Sequence, residues 1–337
     1  APHSSATSRR HRILSAKRTL PPLLSPAACL ALSAGASAAA FPEKPIRFVV
    51  PFASGTATDQ LARALGQAVT EETKQQVIVD NRPGANGFIG ASEVARAAPD
   101  GYTVFITTNT THAAAEHLFK KLPYDPVKDF APITGLGKGG QVMVVNTQFP
   151  ASSVPEFIAL AKKEPGKISF GSGSSSSRIA GELFQQMAGV QLLHVPYKSN
   201  TFAVTDLLGG QIQMMITDTA TGLPHIKSGK LRALGYSSKT RSPLAPEVPT
   251  IDEAGVKGYD MGYWFAAYAP AKTPQPVVAR LNALLSGAAK SPSAKAAFYA
   301  NSGTEVFVTT PEELAAFQAD ESKKWGEIIR KPGMEKE

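Results

Sequence analysis

Two short stretches of this 337-residue chain gather hydroxyls and bare backbone where a strand pattern gives way to a helix pattern. In "PFASGTATD", Pro51 to Asp59, almost only Ala, Ser, Gly and Thr separate the apolar run Ile46–Val50 from the patterned "QLARALGQAV". A helix starting near Thr58-Asp59 leaves its first N–H groups without intrahelical partners, and its macrodipole adds positive potential there. Small residues let an anion approach that backbone, and Ser54, Thr56 and Thr58 supply hydroxyls around Gly55. The same residues equally suit a plain helix cap. The stretch "FGSGSSSSRIAGELF", residues 170–184, repeats the arrangement. Ser172, Ser174, Ser175, Ser176 and Ser177 offer donors, and the Arg178 guanidinium is a fork that can hold a carboxylate. A flexible linker has this composition too, but the stretch is short and bounded by firm strand and helix patterns. Two anion-friendly helix N-termini, one per lobe, suit a small ligand gripped by its carboxylate. Phe52, Asp59, Asn109 and Asp218 complete the expected ligand-binding set. Phe52, Tyr197, Tyr263 and Trp264 suit an aromatic-compatible cleft or, as readily, a core.

Other chemistry finds little support. "GLGKGG", residues 135–140, has the form G-x-G-x-x-G, but a strand pattern follows it where a nucleotide site needs a helix. No G-x-S-x-G, H-E-x-x-H or Walker loop occurs, and the histidines beyond the N-terminal segment (His112, His117, His194, His225) lack metal-ligand spacing. His112, at the end of a strand pattern, is placed near the cleft. No catalytic residue, metal or cofactor is expected.

The elements that would position these loops alternate. Strand-like runs at 46–50, 76–79, 103–107, 141–145, 167–170, 212–217 and 230–236 are separated by helical patterns. Among the latter, residues 59–69 put Leu61, Leu65, Ala68 and Val69 on one face, and residues 179–189 do so with Ile179, Leu183, Phe184 and Met187. Such alternation predicts an α/β fold with mostly parallel sheets covered by helices. The chain is expected to cross between two lobes twice, near "APITGLGKGGQ" and near "GYDMGYWFAAYAPAKTP". That gives one lobe from 41–141 and 264–337 and another from 142–263. Ligands of open α/β sheets bind beyond the carboxyl ends of the strands.

Residues 1–40 differ from the rest. Arg9, Arg10, Arg12, Lys17 and Arg18 stand without an acid, followed by a short apolar run interrupted by Pro21, Pro22 and Pro26 and ending in small residues. This predicts a signal peptide that is cleaved, not a membrane anchor; the export route, Sec or twin-arginine, stays open. Without it the chain has 30 basic and 27 acidic residues, so the net charge drops from +8 to +3. The basic balance then gives no footing for nucleic-acid binding. The single cysteine, Cys29, leaves with the leader, so no disulfide framework or thiolate chemistry remains.

Together these residues resemble the solute-binding proteins of tripartite tricarboxylate transporters, the Bug family. The segments "FPEKPIRFVVPF", "VDNRPGANGFIGA", "AAPDGYTVFITTN", "KLPYDPVKDFAPI", "DLLGGQIQMMI", "LPHIKSGKLRALG" and "VPTIDEAG" carry the resemblance in order over nearly all of the chain after residue 40. It implies a periplasmic, two-lobed Venus flytrap of type II, monomeric. Such a protein holds a small mono-, di- or tricarboxylate mainly through the two loops above and delivers it to the transporter's membrane components. The chain departs from the family at Ser54-Gly55-Thr56, where a Gly-Gly pair is common, and at Arg178, where a histidine is common. A ligand-sensing receptor in signalling uses the same flytrap. A serine-dependent hydrolase would need a positioned base, and no Ser–His–acid signature is legible. Which carboxylate is bound is not legible either.

Overall fold

The computed structural model describes residues 41–330 and Lys336; the expected leader and Cys29 lie outside the described residues. The apolar run Ile46–Val50 forms β1, buried except for Arg47, between β2 (Val77–Asn81) and β3 (Thr103–Thr108), parallel to both. Helix α1 (Ala57–Thr73) connects β1 to β2 and buries the expected stripe of Leu61, Leu65, Ala68 and Val69. Helix α2 (Phe88–Ala95) leads into β3. A short π-helical turn, Thr110–Ala114, follows β3 directly and runs into the short helix α3 (Ala115–Leu118).

The chain then enters β4 (Phe130–Asn146), a 17-residue strand that belongs to two sheets. From Phe130 to Gly140 it pairs antiparallel with β9 (Gly262–Pro270). From Gln141 onward it pairs antiparallel with β7 (Met214–Asp218) and with β8 (Leu231–Tyr236). The first sheet therefore runs β2-β1-β3-β9-β4, closed by the two-residue β10 (Glu305–Val306) on β4. In the second, β8 and β7 flank β4, and β5 (Ser169–Ser172) and β6 (Leu193–Pro196) continue beyond β7. The two-lobed α/β class stands, but pairing is mixed rather than mostly parallel. β1 with β2 and β3, and β5 with β6 and β7, are parallel, whereas every pairing of β4 and β9 is antiparallel. Helical crossovers force parallel pairing inside a lobe; the strands that cross between the sheets run against it.

"GLGKGG" sits inside β4, and close packing explains its glycines. A Cβ at Gly135 would lie 2.6 Å from the Phe307 carbonyl oxygen, and one at Gly139 2.6 Å from the Tyr263 hydroxyl. At Gly140 it would meet the Ser238 Oγ at 2.5 Å. Other chain segments lie directly on this strand, and no phosphate loop is formed.

The second sheet carries α4 (Val154–Lys163), α5 (Ser175–Ala188), α6 (Asn200–Leu208) and α7 (Thr219–Lys227). The first is covered by α1 and α8 (Gln275–Lys290), which bury Leu61, Leu65, Leu281 and Leu285 against Val50 and Ile106. On its other face a continuous apolar cluster runs from Phe105, Tyr268 and Trp325 of α9 (Pro311–Ile329) to Phe170 of β5 and to Phe157 and Phe184 on the helices of the second sheet. Where β4 changes sheet, Ser237 joins the strands. Its Oγ accepts from the Gln141 N–H at 2.6 Å and donates to the Met261 carbonyl at 2.6 Å, fully buried.

Candidate functional site

Loops at the carboxyl ends of β1, β3, β5 and β7 meet beside this junction and enclose a small cavity. Its wall comprises Phe52, Thr56, Ala57 and Thr58 after β1, Thr108 and Asn109 at the end of β3, and Gly173, Ser174 and Ser176 after β5. Asn200, Asp218, Gln141, Tyr263 and Phe265 complete it. The volume is about 30 Å³, enough for roughly two water molecules. A space of this size matches a group no larger than a carboxylate.

Helix N-termini supply most of the polarity. Thr56 caps α1, its Oγ1 accepting from the Asp59 N–H at 3.4 Å while donating to the Ala53 carbonyl at 2.8 Å. That leaves the backbone of Ala57 and Thr58 to the cavity. Ser174 caps α5 by accepting from the Ser177 N–H at 3.3 Å, and its Oγ lies 3.3 Å from that of Ser176. Asn200 opens α6 and accepts from the Gly173 N–H at 2.9 Å. Asp218 caps α7, accepting from the Thr221 N–H at 2.8 Å. Four helices thus turn their positive ends toward one small volume, a field suited to an anion.

Two buried amides on the wall have unused capacity. Asn109 accepts from the Trp264 N–H at 3.4 Å, but its Nδ2 has no partner. Gln141 is likewise fully buried with its Oε1 unpartnered. Burial pushes the Asp218 carboxyl up, against the pull of its bonds from Thr221 and Asn200. Burial also raises the Tyr263 hydroxyl, which is engaged with Thr304 at 2.8 Å and Thr219 at 3.3 Å.

Of the residues expected from sequence, Phe52, Thr56, Thr58, Asn109, Ser174, Ser176 and Asp218 line the cavity. The others do not line it. Asp59 holds the first loop: its Oδ2 accepts from the Gly55 N–H at 2.8 Å, Ser54 Oγ at 3.3 Å and Arg63 Nε at 3.1 Å, and its Oδ1 from Asn81 at 3.0 Å. Burial raises its carboxyl, but the bonds from Arg63, Gly55 and Asn81 outweigh that and hold it below the ordinary value. Ser175 is buried without lining the wall, and Ser177 donates its hydroxyl to the Ile216 carbonyl. Ser172 pairs with His194, Oγ to Nε2 at 2.7 Å, away from the wall. Arg178 also lies off the wall, its Nε 4.0 Å from the Glu182 carboxylate one turn along α5.

His112 belongs to the core. It stacks on Tyr268 at 4.0 Å between Phe105 and Phe130, and burial lowers it to about 3. Tyr197 donates to Asp206 at 2.8 Å and Trp264 donates to Glu321 at 3.1 Å, both clear of the cavity. Sequence reasoning passed over Ala57, Thr108, Gln141, Gly173, Asn200 and Phe265. Gln141 carried a signal, being the one polar residue of the strand run "QVMVV". Among the described residues no cluster of three or more His, Cys, Asp or Glu can hold a metal, and no helix is long and apolar enough to cross a membrane.

Two α/β sheets sharing a crossing strand, with a polar cavity at the junction, give the chain the fold of solved periplasmic binding proteins. More narrowly, the chain belongs to the family described as tripartite tricarboxylate transporter family receptor, whose model matches residues 61–334. The structure of the periplasmic binding protein BugD aligns with a TM-score of 0.84 at 34% identity, covering 88% of this chain and all of that one. Rpa4515 of R. palustris with adipate aligns at 0.83 and 32% identity, covering 86% of this chain and 97% of its own. MatC from Rhodopseudomonas palustris with bound malate aligns at 0.81 and 31%, covering 86% of this chain and 99% of its own.

Proposed function

We propose that this protein is an exported, non-enzymatic receptor that captures a small carboxylate between its lobes and hands it to the membrane components of a tripartite tricarboxylate transporter. The observation that carries the reading is the convergence of four helix N-termini on one cavity that no basic side chain lines. Backbone donors and dipoles hold an anion without a fixed counter-charge, so release needs only that the lobes part. Two solved relatives of the same fold were obtained with adipate and with malate. The lobes are residues 41–141 with 264–337, and 142–263, and they close about the junction tied by Ser237. The receptor works as a monomer and loses residues 1–40 on export.

A hydrolase has less support. The Ser172–His194 pair lies off the cavity wall, and among the described residues no carboxylate bonds His194 to orient it. A thermal-shift screen of mono-, di- and tricarboxylates tests the proposal. A binding carboxylate at 100 times its Kd adds about 2.7 kcal/mol of stability. A panel without a single stabilising carboxylate refutes it.

A further inference from the structure

Among the described residues Asp218 is the only acidic or basic side chain on the cavity wall, and its place there is unexpected in a site for anions. It is also the direct cross-strand partner of Gln141, at the point where β4 changes sheet. Neighbours so paired in an antiparallel ladder face the same side, so the Asp218 carboxylate and the Gln141 amide form one patch of the wall. The patch is rich in unused acceptor capacity. The Oδ1 of Asp218 is well bonded by the Thr221 N–H at 2.8 Å. Its Oδ2 receives only long contacts, 3.4 Å from Thr217 Oγ1 and 3.5 Å from Asn200 Nδ2. The Gln141 Oε1 has no partner among the described residues. Opposing donors, the first-turn backbone of α1 and the free Nδ2 of Asn109, come from the other sheet.

We infer that the cavity selects carboxylates bearing an amino or hydroxyl group, the carboxylate facing the α1 and Asn109 donors and the extra donor facing Asp218 and Gln141. This rests on the carboxylate-receptor reading and narrows it. A second carboxylate placed against Asp218 would crowd two like charges in a buried space, which disfavours ionisation of both. An ammonium or hydroxyl there makes a charge-assisted hydrogen bond and fills the acceptor left open.

Calorimetric titration of matched series tests this: succinate, malate and aspartate; glutarate, 2-hydroxyglutarate and glutamate; propionate, lactate and alanine. Within at least one series the hydroxy or amino member should bind tenfold or more tighter than its unsubstituted parent. Asp218→Asn keeps a good helix cap, so the variant should melt near wild type while the preference for the amino member shrinks at least fivefold. Equal binding of parent and substituted members, or a preference untouched by Asp218→Asn, overturns this inference and leaves carboxylate capture standing. Binding by none of the nine also overturns this inference, while carboxylate capture itself stands or falls with the wider thermal-shift screen.

Discussion

Replacing Gly173 with alanine tests whether the second loop is built by backbone contact. A Cβ at this position would lie 1.9 Å from the Ser199 carbonyl carbon and 2.1 Å from the Asn200 nitrogen, so backbone must move by more than an ångström. The displaced residues are those that open α6, and the shift breaks the 2.9 Å bond from the Gly173 N–H to Asn200 Oδ1 on the cavity wall. Overpacking of this kind costs about 1–3 kcal/mol and the lost buried bond about 1 kcal/mol more. The sum, about 2–4 kcal/mol, corresponds to a fall in Tm of about 3–7 °C for a chain of this size. Calorimetric melting measures it, and titration with the best ligand should show at least a tenfold loss of affinity. Gly209→Ala is the control at the other end of α6. Nothing lies closer than 3.6 Å to its added carbon and its φ is −79°, so it should be close to neutral. Wild-type melting and affinity for Gly173→Ala would show that the two loops are not in contact as described.

Three further outcomes follow from the same structure. Ser237→Ala strands the buried Gln141 N–H and Met261 carbonyl, so urea unfolding should lose about 2–4 kcal/mol; a loss under about 0.5 kcal/mol contradicts the tie between crossing strands. Burial, reinforced by the Arg178 charge, lowers His194 to about 4, so its contribution is full above its ordinary value of 6.5 and is lost as pH falls toward 4. Between pH 7 and pH 4 that loss is below about 3 kcal/mol, because solvent screens the half-buried ring; His194→Gln should remove much of it, and an unchanged acid sensitivity in denaturant melts refutes the assignment. Intact mass of the exported protein should show a chain starting between Ala39 and Phe41 without lipid, and a species retaining Arg9 to Arg18 would contradict cleavage.

Both cavity-lining loops were legible because small residues between a strand pattern and a helix pattern have few physical explanations. Thr56 and Ser174 show why the choice between cap and anion site stayed open: each caps its helix and lines the cavity at once. The place of Arg178 was not legible, since a charge in the first turn of α5 points along the helix surface as easily as into the cleft, and here it lies beside Glu182. The strand β9 read as a connection because "GYWFAAYAP" is fully apolar with no alternation, a pattern that length alone separates from a buried linker. The first half of β4 was hidden by glycines that oppose strand propensity, and their cause is the distant residues Phe307, Tyr263 and Ser238. Helix α7 carries Gly222 and Pro224, and only the Asp218 cap and packing on β4 and β8 make it a helix. Gln141 and Asn200 join the wall through register and a helix start, properties of pairing rather than of local pattern.

The central claim is that a carboxylate sits where the helix N-termini meet. A crystal structure with the tightest carboxylate from the thermal-shift screen tests it most directly. Carboxylate oxygens should lie within about 3 Å of backbone N–H groups in the first turns of α1 and α5, with Asn109 Nδ2 now paired. A ligand seated instead in the larger groove behind the crossing strands, among Lys138, Arg241 and Lys324, would contradict it.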